Sequence, residues 1–198
     1  MTRYDPATAL LVVDIQNDFA DPGGNLSVHG GDAIVPFVNR QVEDALAAGS
    51  LIVYIADWHP ERTPHLARAG GIWPDHCIGG TGGAAFHPAL AVEGPVVRKG
   101  SHGEDGYSGF TMRDPVTGET VPTELEGLLR ERGVTHVVVV GLATDYCIRW
   151  TALDALRLGF ATEVLADGVR AVDLGPGDGD RALEEIRVAG ASIVGPAG

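Results

Sequence analysis

The chain has 198 residues, 44% of them apolar and 21% charged, with a formal charge of −13. That size suits one domain spanning residues 1–198 with a real hydrophobic core. The charge excludes partners that attract basic patches, so neither nucleic acid nor a membrane surface is expected.

Residues Met1 to Thr8 are polar, and the apolar run behind them is only Ala9 to Val13. That is too short for a signal-peptide core or a membrane span. Leu10 to Val13 reads as a buried strand, followed by a glycine-rich loop through Gly31. Val35, Val38, Val42 and Leu46 recur at helical spacing within Ala33–Ala48, and Gly49 closes that helix. Leu51 to Ala56 is a second buried strand. Residues 58–95 form a long excursion rich in Gly, Pro and His with short helical turns, and Pro95 to Val97 is a short third strand. Thr123 to Arg132 is predicted helical, Val137 to Val140 a strand, Asp145 to Leu158 a helix ended by Gly159, and Thr162 to Leu165 a fifth strand. Asp180 to Ala189 and Ser192 to Val194 supply the last helix and strand, with Gly175–Gly179 a loop before them. Buried runs alternating with helices mean parallel strands joined by right-handed crossovers, hence a three-layer α/β domain.

Ligands of an open parallel sheet bind beyond the carboxyl ends of its strands. Strand one ends in Asp14, strand two in Asp57 with Trp58 and His59 behind it, and strand three runs into Lys99. Strand four ends at Gly141, and the turn after it delivers Cys147 to the start of a helix. A thiol there feels the partial positive charge of unpaired backbone N–H groups, which favours thiolate and can hold an oxyanion. The alternative, a small buried residue, fits Cys77 in its glycine-rich loop better than Cys147. Asp14, after four apolar residues, suits general base duty; read alone, it is equally a strand-end cap, and Lys99 a solvated lysine. Asp57, His59 and His65, with His76 eleven residues on, form a plausible metal-ligand set among seven histidines, of which His29 and His136 read as bystanders. Phe19, Trp73 and Tyr107 are either packing residues or the walls of a flat aromatic slot. Two cysteines offer no disulfide framework, and a reducing cytoplasm is the expected location.

Together these residues resemble the nicotinamidase/pyrazinamidase branch of the isochorismatase-like cysteine hydrolases. The likeness rests on Asp14-Ile15-Gln16-Asn17-Asp18-Phe19, Gly23-Gly24-Asn25-Leu26 with Val28, Asp57-Trp58-His59, Trp73-Pro74-Asp75-His76-Cys77 and Lys99-Gly100. It continues through Tyr107-Ser108-Gly109-Phe110, Gly141-Leu142-Ala143-Thr144-Asp145-Tyr146-Cys147 and Pro176-Gly177-Asp178-Gly179. The resemblance implies a doubly wound sheet of six parallel strands in the order 3-2-1-4-5-6. It implies a catalytic triad of Asp14, Lys99 and Cys147, a cis bond before Ala143, and an oxyanion hole made by the N–H groups of Ala143 and Cys147. It also implies one divalent metal ion (Zn, Mn or Fe) on Asp57, His59, His65 and His76, with the ring of a small carboxamide between Phe19, Trp73 and Tyr107. The expected reaction is hydrolysis of nicotinamide to nicotinate and ammonia through a cysteine thioester, with pyrazinamide as a second substrate. A homo-oligomer is left open, and His102 and Asp105 receive no role. The alternatives are a metal-free or carbamoyl-specific amidase on the same scaffold, and a metal-hydroxide hydrolase with Cys147 a bystander. A nucleotide-binding module is disfavoured because no Gly-x-Gly-x-x-Gly follows strand one.

Overall fold

The computed structural model describes residues 3–195; Met1 and Thr2, part of the polar N-terminal stretch, and residues 196–198 lie outside the described residues. Strand β1 (Thr8–Val13) is buried along its whole length. Its apolar run does not alternate because both faces of the sheet are covered. Leu10 and Val12 enter one core with Val35, Val38 and Val42 of helix α2 (Val35–Ala47). Ala9, Leu11 and Val13 enter the other, with helices α3 (Leu125–Glu131), α4 (Arg149–Arg157) and α5 (Asp178–Val188). Successive side chains of a strand point to opposite faces, so this division is the three-layer architecture seen from one strand.

Strands β2 (Leu51–Asp57) and β3 (Val96–Lys99) flank β1 on one side. Strands β6 (His136–Leu142), β7 (Ala161–Arg170) and β8 (Ser192–Val194) follow on the other. All are parallel, in the order β3-β2-β1-β6-β7-β8. This is the six-strand order expected, with one addition. Strands β4 (Thr111–Arg113) and β5 (Thr120–Pro122) form a separate antiparallel hairpin between β3 and α3. A four-residue helix α1 (Asn17–Ala20) opens the glycine-rich loop. The helix expected from Asp145 begins instead as a π-helical turn, Thr144–Ile148, that runs into α4. Among the described residues, no helix is long and apolar enough to cross a membrane.

Register makes the sheet into a platform. Val13 pairs with Ile55 and Gly141, and Asp57 with Lys99, so the chain leaves all four strands along one edge. Gly141 is essential to that edge: its φ is +123°, and a Cβ there would lie 2.0 Å from the Val13 carbonyl oxygen.

Candidate active site

Asp14 follows β1 directly, in the left-handed region at φ +50°, and is fully buried. Lys99, at the end of β3, is buried beside it. Its Nζ lies 2.9 Å from Asp14 Oδ2, donates to Asp57 Oδ1, and sits 3.7 Å from Cys147 Sγ. The Asp14–Lys99 contact is a buried ion pair, and Cys147 stands beside the same carboxylate. One cation thus serves two carboxylates and a thiol inside the protein, and their ionisation is set by that competition. Burial would raise Asp57, but Lys99 and then His59 hold it well below the usual carboxylate range. Burial would lower Lys99, but Asp14 and Asp57 hold the ammonium charged. Burial lifts Asp14 to about 6, against the opposing pull of Lys99.

Cys147 departs from its expected character. Its place at a helix start points to a thiolate, yet burial, reinforced by the Asp14 charge and only partly offset by Lys99, pushes the thiol well above the ordinary cysteine value. It lies inside the buried π turn, where desolvation disfavours the charged form. Burial thus favours the neutral thiol, beside a carboxyl that burial raises only to about 6. The bond between Leu142 and Ala143 is cis.

On the far side of Asp57 stand three histidines. Ligand atoms of His59, His65 and His76 lie within 4.8 Å of one another, and Asp57 Oδ2 lies 3.5 Å from His59 Nε2 and 3.6 Å from His76 Nε2. This is a site that fits a metal ion. Both ring nitrogens of buried His59 have no hydrogen-bond partner, a costly arrangement unless something else ligates them. His76 Nδ1 sits 2.7 Å from the Pro74 carbonyl, which holds the proton there and turns Nε2 inward. Burial and the neighbouring His59 drop His65 to about 4, so it stays a neutral imidazole as a metal requires. Gly100, at φ +82°, packs on this cluster; a Cβ there would lie 2.8 Å from His59 Nδ1.

Between the thiol and the histidines opens a pocket of about 410 Å³, mouth included. Of the expected residues, Phe19, Asp57, His65, Trp73, His76, Tyr107, Ala143 and Cys147 line it. Asp14, Lys99 and His59 form the layer beneath. The aromatic wall includes one ring beyond the three expected, Tyr146. Trp73, Tyr107 and Tyr146 meet edge to face at 5.1–6.4 Å between ring centres, with Trp73 Nε1 donating to the Tyr107 hydroxyl at 3.1 Å, while Phe19 stands apart against His76. His102 is exposed beside Glu104, and Asp105 pairs with Arg113; neither lines this pocket. Cys77 is buried and free.

The model of the isochorismatase domain matches residues 8–195. The chain belongs to the isochorismatase family. Within that family it is 42% identical over 195 residues to the nicotinamidase/pyrazinamidase of Mycobacterium tuberculosis, across 94% of this chain and 97% of that one. It is 36% identical over 206 residues to the nicotinamidase of Escherichia coli, across 95% and 94%. It is also similar to the solved structure of the pyrazinamidase of Pyrococcus horikoshii in complex with zinc, with 42% identity, a TM-score of 0.85, and 96% and 99% of the two chains covered. Its place within the isochorismatase family is thus on the nicotinamidase/pyrazinamidase branch.

Several residues of this isochorismatase-family site were not legible in advance. Tyr146 sits in a turn motif that draws attention to Cys147 instead. Leu26, Val28 and Val172 reach the pocket from loops without periodicity. Asp145 accepts the backbone N–H groups of Val172 and Asp173 at 3.0 and 2.9 Å, tying the nucleophile turn to the segment after β7.

Proposed function

We propose that this protein is a nicotinamidase that converts nicotinamide to nicotinate and ammonia, and hydrolyses pyrazinamide likewise, through a thioester on Cys147. The observation that carries the reading is one pocket walled on one side by Cys147, with Asp14 and Lys99 beneath it, and on the other by His65 and His76 of the three-histidine cluster.

Asp14 takes the thiol proton as Sγ attacks the carboxamide carbon. The C–N bond then breaks, Asp14 returns that proton to the leaving nitrogen, and ammonia departs from a thioester. In the second half Asp14 takes a proton from water as its oxygen attacks the same carbon. The C–S bond breaks, Asp14 returns that proton to the sulfur, and the acid product loses its remaining proton to solvent as it leaves as the carboxylate. Lys99, 3.7 Å from the sulfur, favours the thiolate as it forms and keeps Asp14 and Asp57 compatible. The N–H groups of Ala143 and Cys147 hold the developing oxyanion. Phe19, Trp73 and Tyr107, joined by Tyr146, bound the ring and exclude water from it. His59, His65 and His76 with Asp57 would hold one divalent ion (Zn, Mn or Fe), which supplies a Lewis-acid contact for a ring nitrogen or a bound water.

The unpartnered ring nitrogens of His59 favour this reading over a metal-free amidase, and the buried Asp14–Lys99 pair against Cys147 favours it over a bystander thiol. Residues 1–198 make up one cysteine-hydrolase domain, and a thiol nucleophile with both cysteines free suits a reducing cytoplasm. The test is ammonia release from nicotinamide and pyrazinamide by the purified, metal-loaded protein. Turnover lost in Cys147→Ala is expected; no turnover of either amide by the intact protein would overturn the reading.

A further inference from the structure

Two buried side chains beside helix α1 have no part in the chemistry, yet each reaches the backbone of the metal-binding segment. Gln16 is fully buried. Its Nε2 donates to the carbonyls of Asp57 at 2.7 Å and Ala84 at 2.9 Å, while its Oε1 accepts the Asp57 N–H at 2.8 Å. Asp57 is therefore held by both of its main-chain groups at once. Asp18 is also buried. Its Oδ2 accepts the N–H of Cys77, the residue after His76, at 2.7 Å, and its Oδ1 accepts that of Asn25 at 3.2 Å. The clamp continues through the backbone: His59 donates to the Cys77 carbonyl at 2.9 Å and accepts from Gly79 at 2.8 Å. Gly83 leaves room for the Asp18 carboxylate, which a Cβ there would meet at 2.1 Å.

Residues 58–95 contain little regular structure to fix the spacing of ligands. Fixed bonds to the main chain on either side of each ligand can do so instead, as outer-shell contacts do for other metal sites. We propose that Gln16 and Asp18 are the positioning residues of the metal centre, Gln16 fixing Asp57 and Asp18 fixing His76 and, through Cys77, His59. This rests on the metal reading of the site given above.

The test measures metal affinity directly, by chelator competition with zinc and by the visible spectrum of the cobalt-loaded protein. The variants are Gln16→Met and the isosteric Asp18→Asn. Tyr4→Phe, which removes a buried hydrogen bond to Gln41 at the opposite end of the sheet, controls for lost stability. Outer-shell changes typically weaken metal binding by about 10- to 100-fold, and that loss is expected in both variants, with an altered cobalt spectrum and no change in Tyr4→Phe. Should Gln16→Met fail to fold, Asp18→Asn alone decides by the same criterion. Zinc affinity within about twofold of wild type in the folded variants, with only their melting temperature lowered, would overturn the proposal. Wild-type protein that binds no zinc would overturn the metal reading and this proposal together, a pattern distinct from the first.

Discussion

In the proposed cycle Asp14 takes and gives a proton in each half, and its surroundings set the pH at which it does so. Burial raises it to about 6; below that pH it is protonated and cannot accept the thiol proton, and above it the base is ready. The expected profile of kcat/KM therefore falls with decreasing pH through about 6 and holds toward neutrality. A profile flat between about pH 5 and 8 would remove Asp14 as the base. Asp14→Asn should cut turnover by at least about 10²-fold, the lower range for a positioned acid–base group. The thiol should respond in the opposite sense. Because the Asp14 charge helps hold Cys147 protonated while Lys99 opposes it, the pH midpoint for alkylation of Cys147 should drop in Asp14→Asn. A midpoint that rises would mean Asp14 stabilises the thiolate, contrary to its position here.

At the scale of elements, the strands were readable and the connections were not. Leu10–Val13, Leu51–Ala56 and Val137–Val140 are apolar runs bounded by polar or glycine positions, and each lies within a buried strand. The β4–β5 hairpin leaves no signature in the sequence because its strands are three residues long and hold no apolar run. The π turn at Thr144–Ile148 escaped because one wide turn barely disturbs a helical pattern. The ends of the strands carried the site: Asp14, Asp57, Lys99 and Cys147 stood out as polar residues just beyond buried runs. Tyr146, Gln16 and Asp18 needed the fold, since their roles rest on partners distant in sequence: Trp73 and Tyr107, Asp57, and Cys77. Gly141 tests how tightly that edge is built. Gly141→Ala adds a methyl against the Val13 carbonyl at an unfavourable φ, and should destabilise the protein by at least about 2 kcal/mol in urea unfolding. A loss below about 0.5 kcal/mol would mean that β1 and β6 separate easily there.

For the whole molecule, the metal reading makes a thermodynamic claim that is independent of catalysis. His59, His65 and His76 come from one long, irregular excursion, so an ion bound there stabilises only the folded chain. With free zinc at about 100 times its Kd the gain is about 2.7 kcal/mol, or about 5–10 °C in Tm for a chain of this size. Chelator should reverse it while the far-ultraviolet dichroism of the sheet persists below Tm. A melting temperature indifferent to zinc and chelator alike would argue that the histidines hold no ion. The thioester itself is read by acid-quenched intact-mass analysis during nicotinamide turnover. A nicotinoyl adduct that maps to Cys147 and is absent from Cys147→Ala is expected. Full turnover with no adduct at any quench time, and with Cys147→Ala as active as wild type, would contradict it.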